Sequence, residues 1–111
     1  MSGDTDTYVD PYRELGSVTE YTLPHILARV KVGSAEHSWQ CELRWLWETH
    51  SDRMAELMQK VLRQGVRIPV LIGRHPQSGE ERMWDGHHRV GIAVALALET
   101  LPVRIVESEA P

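Results

Sequence analysis

The segment 87–98 constrains this chain more than any other. Val90, Ile92, Ala93, Val94, Ala95, Leu96, Ala97 and Leu98 follow His87-His88-Arg89, and no polar residue interrupts them. A helix of that composition has no wet face and must be buried on most sides. Asp85-Gly86 breaks the chain immediately before it. Downstream, 100–106 reads as a strand in which Leu101, Val103 and Ile105 alternate with Pro102, Arg104 and Val106.

The upstream pattern supplies the partners. In 51–64, Met54, Leu57, Met58, Val61 and Leu62 fall at i, i+3, i+4, i+7 and i+8, the stripe of an amphipathic helix. Ser51 is the expected cap, Asp52 and Arg63 suit the two ends of the helix dipole, and Gly65 is the expected stop. The segment 35–47 predicts another helix, with Trp39, Leu43, Leu46 and Trp47 on one face and Trp45 off it. Those tryptophans are core or a partner patch, with core favoured. Alternation predicts a strand over 17–23, ended by Pro24, while 25–32 fits either a short helix or a strand. A strand over 66–73 must hold Pro69 at an edge or at its start. The loop 75–79 and the run 81–84 then complete a hairpin. Helices and short strands in this order predict an α+β domain with a small mixed sheet.

A chain of 111 residues accommodates one domain. The expected organisation is a flexible arm over 1–16, a domain over 17–106 and a tail over 107–111. The net charge of −4 argues against a general polyanion binder, since non-specific nucleic-acid affinity comes from Lys and Arg, but it leaves room for one local basic site. Cys41 is the only cysteine, so no intrachain disulfide can form. A reducing, cytoplasmic setting is expected, with Cys41 buried and inert. No apolar run reaches the length of a membrane span. His25, His37, His50 and His75 lack zinc-site spacing, and no metal site is expected.

The stretch that carries chemistry is Trp84-Asp85-Gly86-His87-His88-Arg89. A helix start leaves backbone N–H groups without acceptors and concentrates partial positive charge, which together suit a small anion. Gly86 allows a sharp bend and close approach of a ligand. Arg89 offers planar, permanent donation to phosphate oxygens. His87 and His88 add donors that titrate near neutrality, and Asp85 could cap the helix, bind a metal or act as a base. Plain turn chemistry explains the same residues equally well: Asp-Gly is a common strand-to-helix turn, and His87 and His88 point about 100° apart.

From the helix that ends at Gly65, through Ile68-Pro69-Val70-Leu71-Ile72, to Met83-Trp84-Asp85-Gly86-His87-His88-Arg89 and Leu101-Pro102-Val103, the chain resembles the amino-terminal domain of ParB proteins and ParB-like nucleases. That group shares its fold with sulfiredoxins and ParB-like free-serine kinases. The resemblance covers about half the chain and implies a ParB/sulfiredoxin-like fold. Against the Gly-x-Arg-Arg phosphate box of ParB, Gly86 and Arg89 match the ends, with His87 and His88 between. Against the Gly-Cys-His-Arg of sulfiredoxins, Gly86, His88 and Arg89 match, but His87 replaces the reactive cysteine and Cys41 lies elsewhere, so sulfiredoxin chemistry is not expected.

The resemblance implies a nucleotide- or phosphate-binding module of phage or plasmid type. The nucleotide would be CTP, ATP or ADP, with or without magnesium, held by Gly86, His87, His88 and Arg89. Asp85, His87 and His88 are the catalytic candidates for nuclease or NTPase chemistry. Arg67 and Arg74 could assist Arg89. The alternatives are a non-catalytic scaffold binding a host protein or DNA, and a free-serine kinase in which Glu20 activates a hydroxyl. With nothing after Pro111 to match the helix-turn-helix and dimerisation domains of partition proteins, DNA partition by this chain alone is not expected.

Overall fold

A computed structural model describes residues 12–33 and 37–108. The elements run β1 (Ser17–Thr22), α1 (Leu23–Arg29), β2 (Val30–Lys31), α2 (Trp39–Thr49), α3 (Ser51–Gln64), β3 (Val70–Arg74), β4 (Glu81–Asp85), α4 (His87–Leu96) and β5 (Thr100–Glu107). The strands form one mixed sheet in the order β1-β5-β3-β4-β2. β3 lies parallel to β5 and antiparallel to β4, and β1 closes one edge antiparallel to β5. The expected α+β class and mixed sheet are present.

The burial expected of the apolar helix is met for Val90–Ala93, where α4 lies between two partners. Val90 and Ala93 join Ile26, Val70, Ile72, Met83, Leu101 and Val103 in the core against the sheet. Ile92 turns the other way and packs with Leu46, Met54 and Val61 of the α2–α3 pair. At Gly91 the approach is so close that an added Cβ would stand 2.5 Å from the Met54 methyl. These two layers cover α4 as far as Ala93, whereas Val94, 39% exposed, and Ala95 face outward, so the helix keeps an apolar wet face that its composition did not predict.

Several local expectations change. Pro24 does not end β1 in a turn but sits in the first turn of α1, where its missing N–H costs nothing. The ambiguous 25–32 segment therefore contributes both a helix and the short strand β2. The Pro69 strand begins one residue after the proline. α4 stops at Leu96 rather than Leu98, because Ala97 adopts φ 55° and its N–H closes back on Val94. His50, not Ser51, caps α3, because the chain passes from α2 to α3 through that single residue. Leu62, counted on the apolar stripe of α3, is 61% exposed. Cys41 is exposed, not buried, because it lies away from the Trp39–Leu46 face of α2. Trp39 is core, and its indole N–H donates to the Val30 carbonyl at 2.8 Å. Trp45 and Trp47 keep much of their surface exposed.

Residues 1–11 of the expected arm lie outside the described residues. Residues 12–16 form a turn docked on β5, where buried Arg104 donates to the Leu15 carbonyl at 2.9 Å. Of the expected tail, Glu107 belongs to β5 and Ser108 N–H donates to the Arg74 carbonyl at 2.9 Å. Among the described residues no helix is long and apolar enough to cross a membrane.

Candidate functional site

The site is built where β4 hands over to α4. Between β3 and β4 the register slips: Leu71 pairs with Asp85 while Ile72 pairs with Met83, leaving Trp84 as an extra residue. Such a bulge turns the strand end, here the end that carries Asp85. Trp84 lies across Gly73, where a Cβ would come within 2.3 Å of the indole. Gly86 follows with φ 115° and packs on Val70, so it supplies both the bend and the close contact. α4 then begins with no side-chain cap. Its first N–H groups therefore lack both an intrahelical acceptor and a capping side chain.

A cavity of about 370 Å³ opens beside this helix start. Asp85, Gly86, His88 and Arg89 line one side, Arg53, Glu56 and Lys60 of α3 line another, and Arg67 and Ile68 form the approach to β3. Four permanent cations thus face two carboxylates, in a protein whose net charge is −4. The cavity is of the size that ligand sites ordinarily have.

Four of the five sequence candidates border this cavity, and His87 does not. Its Nε2–H donates to the Val32 carbonyl beside Trp39, which fastens the start of α4 to the β2 end of the sheet. Asp85 does not cap the helix; its carboxylate lies 3.7 Å from the Arg89 guanidinium. Arg89 Nη1 donates to the carbonyls of Ile68 and Pro69 at 2.8 and 3.1 Å. Its fork is therefore shared between the cavity wall and the backbone leading into β3.

His88 meets a residue from outside the motif. Its Nε2 lies 3.2 Å from His50 Nδ1. Burial, then the nearby Arg53 charge, holds the His88 imidazole below its ordinary range, with His50 and His87 adding to that effect and Glu42 opposing it. Arg67 joins the cavity, but Arg74 is drawn away to Glu81 at 2.8 Å and to the Tyr21 hydroxyl at 3.0 Å. His75 accepts the N–H groups of Gln77 and Ser78 within its own loop. Glu20 lines a separate shallow groove with Glu99 and Thr100, which shares Val66 and Arg67 with the cavity. Among the described residues no three His, Cys, Asp or Glu side chains gather as metal ligands.

Sequence reasoning missed Arg53, Lys60 and His50. Arg53 and Lys60 are seven residues apart and therefore share the polar face of α3. That spacing was readable, but which end of which helix the face would meet was not.

The fold, a five-stranded mixed sheet with four helices among the described residues, is ParB/sulfiredoxin-like. The C-terminally truncated chromosome-partitioning protein ParB from Caulobacter crescentus, in complex with CTP-gamma-S, is similar over 86% of this chain and 47% of its own, with a TM-score of 0.57 and 21% identity. A conserved hypothetical protein from Pyrococcus furiosus is similar over 84% of this chain and 33% of its own, with a TM-score of 0.51 and 21% identity. The chain thus spans about half the length of the first and a third of the second. No family model matches this sequence, and no curated protein does.

Proposed function

We propose that the cavity between α3 and the start of α4 binds the phosphates of a nucleotide. The observation that carries this reading is the uncapped α4 N-terminus opening beside Arg53, Lys60, Arg67 and Arg89. Backbone donors and permanent cations converge there on a space of about 370 Å³. The ParB neighbour, described in complex with CTP-gamma-S, supports a nucleoside triphosphate as the ligand class. Asp85 and Glu56, at the same cavity, are the groups that would meet a magnesium ion carried by the phosphates.

Calorimetry with CTP, ATP and ADP, with and without magnesium, tests the proposal. Arg53→Ala and Lys60→Ala are the informative variants, because neither residue holds the fold as Arg89 does. Each is expected to weaken binding about three- to tenfold, with affinity falling as salt rises. Absence of binding by every nucleotide, or binding indifferent to both substitutions, overturns the reading.

A second reading, phosphoryl transfer to a small hydroxyl acceptor, is favoured by one observation. The groove holding Glu20, Glu99 and Thr100 adjoins the cavity across Arg67. An acceptor there would lie beside the bound phosphates, with Glu20 as base. Incubation with ATP or ADP and free serine, read as phosphoserine, decides it: product lost in Glu20→Gln supports transfer, and no product with nucleotide bound removes it.

A further inference from the structure

His50 lies outside the cavity lining, yet it holds the His88 side chain that forms part of the wall. It is the single residue joining α2 to α3. The His50 and His88 rings are parallel within 10°, with centroids 5.3 Å apart and facing nitrogens 3.2 Å apart. The difference is close to two ring radii, so the rings meet edge to edge in nearly one plane. The N–H of one ring therefore points at the lone pair of the other.

We infer that His50 and His88 act as one proton-sharing unit, and that an anion entering the adjacent cavity draws one further proton onto it. This rests on the phosphate-site reading. In the neutral pair each ring carries one proton, and one of the two lies in the bond between them. A third proton is accommodated on an outer nitrogen, giving an imidazolium that donates to an imidazole. A fourth would set two cations donor to donor, so the pair takes up one proton and no more.

The surrounding charges decide when that proton binds. Arg53 on α3 and His87 on α4 oppose it, and Glu42 on α2 favours it. Around the cavity, Lys60, Arg67 and Arg89 oppose it while Glu56 and Asp85 favour it. Trp45 of α2 covers His50 edge-on at 4.8 Å between centroids and contributes no charge. A bound dianion offsets the cations, so the proton binds more readily. By linkage the anion then binds more tightly as pH falls through the range where the pair titrates. One proton limits the gain to about tenfold per pH unit.

Sulfate is the suitable probe, because its charge is constant over this range while terminal phosphates titrate. Imidazole NMR resonances of the full chain are followed with pH, with and without sulfate, alongside sulfate affinity in wild type and His50→Gln. The expected result is a single coupled step for His50 and His88 whose midpoint rises with sulfate. Affinity should increase about three- to tenfold from about pH 8 to pH 6, and this gain should shrink to about twofold or less in His50→Gln. Independent titration of the two histidines overturns the inference. So does sulfate that perturbs Arg53 and Lys60 without moving the midpoint, an outcome that leaves the phosphate site standing. Failure of sulfate and of every nucleotide to bind overturns both.

Discussion

Arg89 donates to the carbonyl oxygen of Ile68 across 2.8 Å, tying the first turn of α4 to the chain that enters β3. The same guanidinium reaches Pro69 and approaches Asp85, so it props the cavity as well as lining it. Arg89→Lys keeps the charge but cannot reproduce a planar fork. It is expected to lower stability by about 1–2 kcal/mol and to weaken nucleotide binding. Chemical denaturation alongside calorimetry checks this; unchanged stability would show that the two carbonyls do not depend on the fork.

Gly86→Ala strikes the corner directly. The backbone sits at φ 115°, and the new Cβ would come within 2.5 Å of the Val70 side chain and 3.1 Å of its Cα. Val70 is fully buried and has little room to yield. A loss of about 2–4 kcal/mol is expected from strain and overpacking together. A denaturation midpoint within error of wild type would contradict this packing.

Tyr21 links the sheet edge to a buried carboxylate, donating to Glu81 at 2.6 Å and accepting from Arg74 at 3.0 Å. Burial first, then the bond to Glu81, pushes its phenol above the ordinary range, with Arg74 opposing. The folded state therefore holds this proton where the unfolded chain releases it. Stability from this group is complete below about pH 10 and is lost as pH rises through the folded value. Tyr21→Phe should cost about 1 kcal/mol at neutral pH and flatten the alkaline decline. An unaltered decline in the variant would assign it to other groups.

His88 predicts the opposite limb. Its folded value is depressed, so the unfolded chain takes up a proton that the native site resists. This contribution to stability is present above about pH 6.5 and is lost as pH falls toward the folded value. His88→Gln should therefore lose less stability than wild type between about pH 7.5 and pH 5.5. Equal losses in thermal melts across that window would refute the depressed value.

Much of the local structure was legible without coordinates. α3 was readable because its apolar residues keep helical spacing and Gly65 stops it. α4 was readable because Asp85-Gly86 ends one element and a long apolar run follows it, although Val94 and Ala95 of that run are exposed. The Asp85-Gly86 break before an apolar run marked a helix start at His87, since that depends only on local residue types. The stop at Ala97 was not legible, because an alanine in the left-handed region carries no sequence signal. Nor was the exposure of Leu62, because an apolar stripe shows where a helix can be covered and not how far its partner extends.

The division follows the range of the forces involved. Periodicity, capping and turn chemistry act over a few residues, so the chain alone determined most of its elements and the place of one helix start. Which charges surround that start depends on contacts between residues far apart in sequence. Packing α4 on the α2–α3 pair brought Arg53, Lys60 and His50 to the motif, took Arg74 to Glu81 and turned His87 toward Val32. Those assignments belong to the tertiary structure, because only close packing selects which face of each helix meets another.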